Sequence, residues 1–492
     1  LPLETATPYV NDWQDAVSEL FQKMSNLRRR AVEGSLYLSL RRVFTIALSL
    51  VGMLYVTRVV GPANYGLYAS AMGVYLFLAQ IVSMGVRTYL IRAPQDAPRG
   101  LWHLAFWWLL FFAVVLTVVA LLTLRWLGVY WIRTEGFFMV VLVISLGLPL
   151  HAVTIVAQSM LEKELRYKRI AFIDTLAQAS SYAVSVPMAL LGFGVWALVA
   201  AYWAAQLVSS TLAFLSAQYL PRWYWDRQTW RDLLQFSSAQ AASEWLYYTK
   251  NLAPALVLLP IAGKEAVGYL SLAERLLNML NFAQVAIRNV TTAVFARLQS
   301  QPSKLLHTLY LSAQAQILSL GGACLLFVLS AWYVLPPLFG AQWDIRLAIL
   351  ALAVLAAEQL LTATFSVQAQ ALYVIRQSHV VTRAALVFAF NLYWSTALCA
   401  YIAPEGYEVL GYSIAYFLAH LPNNLFLHRG IKRYIGQPRY GVNLLWAIAL
   451  GISLLAPVAY YVPLLALSVF LLPASQNALR ELLREVRSLR ST

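Results

Sequence analysis

Charge is what this sequence of 492 residues has least of. Only 12% of it is Asp, Glu, Lys or Arg, where a soluble domain carries about 25%. Half the usual charge cannot coat a water-facing surface, which excludes a soluble enzyme. The 61% apolar and aromatic content excludes a disordered chain. Cysteine is nearly absent: Cys324 and Cys399 both sit inside apolar blocks, so there is no disulfide framework and no zinc spacing. They read as small core residues. The start of the chain shows no basic n-region and no short apolar h-region, so no signal peptide is read there. Catalytic signatures are missing too. There is no His/Cys metal spacing, no phosphate loop and no strand-turn-helix nucleophile, and no outside connection exceeds about a dozen residues. Membrane glycosyltransferases and polymerases usually place their chemistry in a sizeable external loop. The reading is a protein that is not an enzyme and uses no cofactor or metal.

What is present is a succession of apolar blocks, each roughly 18–25 residues long and long enough to cross about 30 Å of hydrocarbon as a helix. The blocks fall at about 37–59, 67–91, 101–124, 137–159, 170–191, 195–216, 234–260, 268–296, 308–333, 345–372, 379–402, 407–428, 441–459 and 461–476. Turn chemistry separates them at Gly61-Pro62-Ala63-Asn64-Tyr65-Gly66, at Gly192-Phe193-Gly194, and at Pro336-Pro337 before Gly340. The fold class expected is an all-α polytopic membrane protein of about 14 transmembrane helices. It comprises two pseudo-symmetric six-helix bundles and a C-terminal helix pair. Residues 1–36 form a cytoplasmic N-terminal segment, 37–216 the first lobe, 217–233 a cytoplasmic linker and 234–428 the second lobe. Spans 13 and 14 occupy 441–476, and 477–492 form a basic cytoplasmic tail.

The net charge of +15 does not point to nucleic acid, because the cations alternate in sidedness. With both termini placed in the cytoplasm, the outside connections hold only Arg58, Arg125, Arg133, Lys264 and Arg346, the bias that orients membrane proteins. An internal repeat supports two parallel units. Residues 61–71 (GPANYGLYASA) align with 263–273 (GKEAVGYLSLA) at an offset of 202. Each copy lies between the first and second spans of its lobe, as expected of transporter repeats.

Four cations lie within the spans: Arg87, Lys250, Arg275 and Arg288. Each costs about 2.5–3.5 kcal/mol at the bilayer centre if it faces lipid. Polar stripes accompany them at helical spacing: Gln80, Ser83 and Arg87; Ser237, Gln240, Glu244, Tyr247, Tyr248 and Asn251; Glu274, Asn278, Asn281, Arg288 and Thr292. Such faces point into the bundle or a wet cavity, either as interhelical hydrogen bonds or as a substrate lining. Lys250 and Arg275 fall off these stripes. The candidate lining is Arg87, Arg288, Arg275, Lys250, Asn251, Asn278, Asn281 and Gln80.

The intramembrane acids Glu358, Glu274, Glu244 and Asp174 are the candidates for coupling. Glu244 and Glu274 also suit structural ion pairs with Lys250, Arg275 or Arg288. Glu358, with no cation nearby in sequence, is the foremost proton-relay candidate. His151 and His420 read as buried hydrogen-bonded side chains, and Trp245, Tyr247 and Tyr248 as packing aromatics or sugar-stacking ones. Arg41 and Arg42 mark a cytoplasmic entrance. The basic loop 161–169 suits anionic headgroups or is simply a positive-inside loop, and 477–487 reads as a basic amphipathic helix on that surface.

Several segments carry a resemblance: Gly61–Leu67, Gly85–Arg92, Leu165–Ala171, Leu191–Leu198 and Leu338–Trp343. In this order and topology the chain, over about residues 24–490, resembles the polysaccharide (O-antigen type) flippases. These belong to the multidrug/oligosaccharidyl-lipid/polysaccharide (MOP) exporter superfamily. Family members begin near a sequence like Met24–Arg30, which sets residues 1–23 apart as an extension or an upstream start. The resemblance implies a two-lobed, inverted-V transporter in a bacterial or archaeal cytoplasmic membrane. It would move an oligosaccharide on undecaprenyl pyrophosphate by alternating access, with the bilayer as its surroundings and polysaccharide polymerases and glycosyltransferases as partners. Cavity arginines are implied to hold the pyrophosphate, and Arg87 and Arg288 are nearest by position. Many relatives carry an acid after the Asn of span 7, where this chain has Asn251-Leu252-Ala253-Pro254. That departure removes one coupling candidate.

Two other functions fit the composition. A drug or metabolite antiporter on the same fold would want an acidic cavity, yet Asp174 is the only acid within spans 1–6. A membrane enzyme or an assembly scaffold would need chemistry that the loops do not supply.

Overall fold

The computed structural model describes residues 52, 54–94, 98–281, 284, 287, 291, 294–299, 301–440, 442–453, 469 and 471–480. Arg41, Arg42 and Arg288 lie outside the described residues, as do most of the expected last hairpin and residues 481–492.

Described residues form helices and connections only, with no strand among them. In the first half run α1 (Leu54–Ser83), α2 (Val86–Arg92), α3 (Arg99–Tyr130) and α4 (Phe137–Ser145). They are followed by α5 (Leu148–Lys163), α6 (Tyr167–Leu190) and α7 (Val195–Ala217). The second half begins with α8 (Arg227–Tyr248) and α9 (Leu259–Leu280). It continues through α10 (Pro302–Phe339), α11 (Ile345–Val374), α12 (Ser378–Ile402), α13 (Glu408–Tyr434) and α14 (Asn443–Ser453).

Eight stretches among the described residues are long and apolar enough to cross a membrane. On α3 one face is shut away, with Leu104, Leu109 and Ala113 fully buried, while Phe111 (63% exposed) and Leu122 (67%) point outward. A large apolar side chain left bare in this way is what hydrocarbon surroundings accept and water does not. At the other extreme is α11, the most enclosed of the long apolar helices. It packs against α9, α10, α13 and α14, and its small residues Ala351, Ala356 and Ala363 are fully buried there. Small side chains let neighbouring backbones approach closely, the main source of helix association in lipid. α6 and α13 are of comparable length but more polar, and on α13 His420 and Asn424 are buried.

Helix breaks decide which residues meet. Met84 (φ 40°) and Gly85 (φ 74°) interrupt the second expected span between α1 and α2, and Leu146–Gly147 interrupt the fourth. Between α8 and α9 the chain tightens to a 3-10 turn over Thr249–Leu252 and widens to a π turn over Pro254–Leu258. Proline has no N–H and its ring crowds the carbonyl four residues back, here that of Lys250. Pro336 and Pro337, expected in a turn, instead lie in the last turns of α10, and Gly340 (φ 76°) stops the helix. Gly61 and Gly263, the first residues of the two repeat copies, share a φ of 80°. Both mark the bend that the repeat motif makes.

The basic loop after α5 serves helix ends. Lys163 Nζ donates to the Pro94 carbonyl (2.8 Å), and Arg169 donates to that of Ser216 (3.1 Å), near the end of α7. Cations at exposed terminal carbonyls satisfy acceptors that the helix leaves unpaired.

Candidate functional site

A cavity of about 430 Å³ lies between the two halves. One wall is a ridge of α1: Tyr65, Tyr68, Ala69, Met72, Gly73 and Leu76. The facing walls come from the irregular turns (Lys250, Asn251, Pro254) and from α9 (Ser271, Glu274, Arg275, Leu277, Asn278). α11 supplies Leu355, Glu358 and Gln359, and α13 supplies Tyr416. Unwound backbone at this depth is tolerated where it borders a cavity rather than lipid.

Among the described residues, the two cations that line the cavity are held by phenols. Lys250 Nζ donates to the Tyr247 hydroxyl at 2.9 Å and lies 4.2 Å from the centre of that ring. Arg275 Nη1 donates to the Tyr65 hydroxyl at 3.4 Å, reaching from the second half to the first. Tyr65 is itself set edge-on against Trp343. Among the described residues, neither cation is ion-paired with Glu274 or Glu358. A phenol stabilises a cation without cancelling its charge, so both remain able to meet an anion.

The carboxylates behave differently. Glu358 is 6% exposed and His420 1%. Glu358 Oε1 accepts from Thr362 Oγ1 at 2.6 Å and stands 3.3 Å from His420 Nδ1. The same nitrogen lies 3.1 Å from the Tyr416 carbonyl, so it carries the hydrogen. Phe388 packs tilted against the imidazole with ring centres 4.3 Å apart. Glu358 therefore has the close basic partner that its sequence neighbourhood lacks. Glu244 pairs with neither Lys250 nor Arg275. Its Oε2 accepts from Gln80 Nε2 at 2.9 Å, a clasp between α8 and α1.

Arg87 is not among the lining residues. It donates through Nε to Glu162 Oε2 at 3.0 Å and its second guanidinium nitrogen meets Glu162 Oε1; its side chain is half exposed. Asp174 is near enough to Arg87 to act on it electrostatically. The break at Met84–Gly85 turns Arg87 off the Gln80 ridge and towards α5. Asn281 donates to Asn278 Oδ1 at 3.1 Å at the end of α9. His151 stacks edge-on against Tyr75, and Tyr248 packs on Tyr247. The Trp245 indole nitrogen is buried. Cys324 and Cys399 are free.

Sequence reasoning passed over Tyr65, Tyr68, Gln359, Thr362 and Tyr416. A signal existed for the first two: Tyr65, Tyr68, Met72 and Leu76 recur at helical spacing, starting in the first repeat copy and running on past its end.

The architecture is that of an all-helical membrane protein whose fold is shared by solved transporters. It superposes on the lipid II flippase MurJ in its inward closed conformation with a TM-score of 0.67 at 11% identity, over 92% of this chain and 99% of that one. An inward-facing multidrug resistance MATE family transporter of the MOP superfamily gives a TM-score of 0.61 at 17% identity, over 79% of this chain and 95% of that one. At these identities the likeness is one of fold. Residues 55–347 match the family described as "Polysaccharide biosynthesis protein", and the chain belongs to that family. It is also 26% identical over 311 residues to the "Succinoglycan biosynthesis transport protein ExoT" of Rhizobium meliloti (strain 1021), covering 62% of this chain and 61% of that relative's length.

Proposed function

We propose that the protein is a flippase moving an oligosaccharide linked to undecaprenyl pyrophosphate across the cytoplasmic membrane, for synthesis of a cell-surface polysaccharide. The observation that carries this reading is the pair Lys250 and Arg275, two cavity cations tethered to phenols rather than ion-paired with acids. They would take the phosphates, with Asn251, Asn278 and the rings of Tyr65 and Tyr68 beside the first sugars. Arg288, on the Asn278 stripe in sequence, is the candidate to extend that cationic surface. The lobes 37–216 and 234–428 would alternate access about the cavity, with both termini cytoplasmic. Outward passage of each net negative charge gains about 2.3 kcal/mol per 100 mV of inside-negative potential. Glu358, held by Thr362 and His420, is the candidate for any coupling proton. Glycosyltransferases that build the lipid-linked sugar and a polymerase that consumes it are the partners this reaction requires.

The test is flipping of a labelled lipid-linked oligosaccharide in proteoliposomes. A charged hydrogen bond is worth about 1.5–3 kcal/mol. Lys250→Ala and Arg275→Ala should therefore each slow transport by about tenfold to a hundredfold. Full activity in both, at normal expression, removes the assignment.

Glu274 and Glu358 in the same cavity favour a second reading, a drug or metabolite antiporter. Transport of a fluorescent organic cation, with no movement of the lipid-linked sugar, would select it.

A further inference from the structure

The repeat of residues 61–71 at 263–273 has a consequence in space: the two copies touch. A methyl group added at Gly66 would lie 1.8 Å from the backbone oxygen of Lys264, and one added at Gly268 would lie 2.2 Å from that of Pro62. These are one contact made twice. The offset of 202 carries Pro62 onto Lys264 and Gly66 onto Gly268. Residue i meeting j while j meets i is what a two-fold relation produces. Further ties between the halves surround the crossing. The Trp343 indole donates to the Thr57 carbonyl at 3.2 Å, and the Trp131 indole donates to that of Leu256 at 2.7 Å. Trp343 also stands edge-on to both Tyr65 and Tyr269, one aromatic from each copy. Tyr65, adjoining Gly66 in the chain, already lines the cavity.

Resting on the alternating-access reading above, we propose that Gly66 and Gly268 form a two-fold backbone seal over one end of the cavity, and that the protein opens there by parting the two repeat copies. At the glycine crossing backbone lies against backbone, so the side-chain ties released when the seal parts are those around it, the Trp343 and Trp131 indole bonds. The absence of a Cβ is the requirement at both positions. A carbon ordinarily stands about 3.3 Å or more from a carbonyl oxygen, so any side chain at either glycine acts as a wedge.

Met72 lines the cavity and reports on the seal. With Cys324→Ala and Cys399→Ala as background, Met72→Cys is labelled by a membrane-impermeant maleimide in right-side-out and in inverted membrane vesicles. Gly66→Ala and Gly268→Ala should each speed labelling about tenfold from the side bearing the repeat, the population shift expected for one overpacked methyl. The two should act equally, and the double variant should add little. Gly451→Ala, where an added methyl meets nothing within 4 Å, should leave the rate unchanged. Trp343→Phe keeps ring and backbone but loses the bond to Thr57, and should raise the same rate about threefold. It decides the matter if the glycine variants do not reach the membrane. Unchanged labelling in folded Gly66→Ala, or in Trp343→Phe, overturns the seal, as does an unequal response of the two glycines. Thiol access is read without any substrate. A protein that gates in this way yet moves no lipid-linked sugar therefore sinks the functional reading and leaves the seal standing.

Discussion

The two sides of the cavity are built from opposite chemistry. The α1 side presents Tyr65, Tyr68, Met72 and Leu76, while the second half presents Lys250, Glu274, Arg275 and Glu358. Formal charge is expensive in lipid, and here it is gathered where several helices converge. There Thr362, His420 and Tyr247 supply hydrogen bonds. The α1 side carries no formal charge among its lining residues, so it can move relative to its partner without dragging an ion through hydrocarbon. The contrast teaches a division of labour within a repeated architecture: one half holds the charges, and the other closes over them with rings and close-packed backbone.

Three substitutions outside the transport and seal tests probe that division, from largest effect to smallest. Gln80→Leu removes the donor that α1 offers to Glu244 and leaves a carboxylate without it. A deserted polar group of this kind costs about 1–3 kcal/mol, seen as a lowered midpoint in thermal unfolding of the purified protein. Gln80→Asn, with a shorter amide, should fall between. If Gln80→Leu is as stable as the parent, the seam between α1 and α8 is not held by this clasp.

Glu358→Gln keeps an acceptor for Thr362 but removes the titratable carboxyl beside His420. The variant should flatten the dependence of transport on pH, because the amide can neither take up nor release a proton. Tyr68→Phe, on the uncharged side, should leave that profile in place. Identical profiles for Glu358→Gln and the parent would show that the coupling proton is carried elsewhere.

The smallest effect lies outside the spans. Asp226 caps α8, its Oδ2 accepting from the Thr229 backbone N–H at 2.8 Å and from the Thr229 hydroxyl at 2.5 Å. These bonds hold its carboxyl below the usual aspartate range. A lowered carboxyl stabilises the fold above its unfolded value and loses that contribution as pH falls through the folded one. Asp226→Ala should lower the unfolding midpoint slightly at neutral pH. Asp226→Asn caps as well and should differ from the parent mainly in lacking the loss on acidification.

Much of the fold was legible from composition and block length. The sixth block, expected at 195–216, is the helix Val195–Ala217, and the eleventh, expected at 379–402, is Ser378–Ile402. Lipid leaves an apolar run of that length little alternative, because every backbone group must be bonded within the segment. The site was less legible, and for one recurrent reason. Helical stripes assume about 100° per residue, and the phase is lost wherever the helix breaks. Lys250 and Arg275 fall off the stripes in sequence yet line the cavity, because 3-10 and π turns and the bend at Gly263 lie between and beside them. Arg87 falls on a stripe yet lies against Glu162, because Met84 and Gly85 intervene.

Sequence alone determined that this chain is helical, membrane-embedded and internally repeated, because hydrophobic length and glycine spacing are local properties that the bilayer reads directly. Only the tertiary structure decided that Tyr65 meets Arg275, that Glu358 meets His420, and that Gly66 and Gly268 lie on each other's repeat. Those pairings join residues far apart in the chain. They depend on the small rotations at each helix break and on how closely two backbones can approach, which no local pattern encodes.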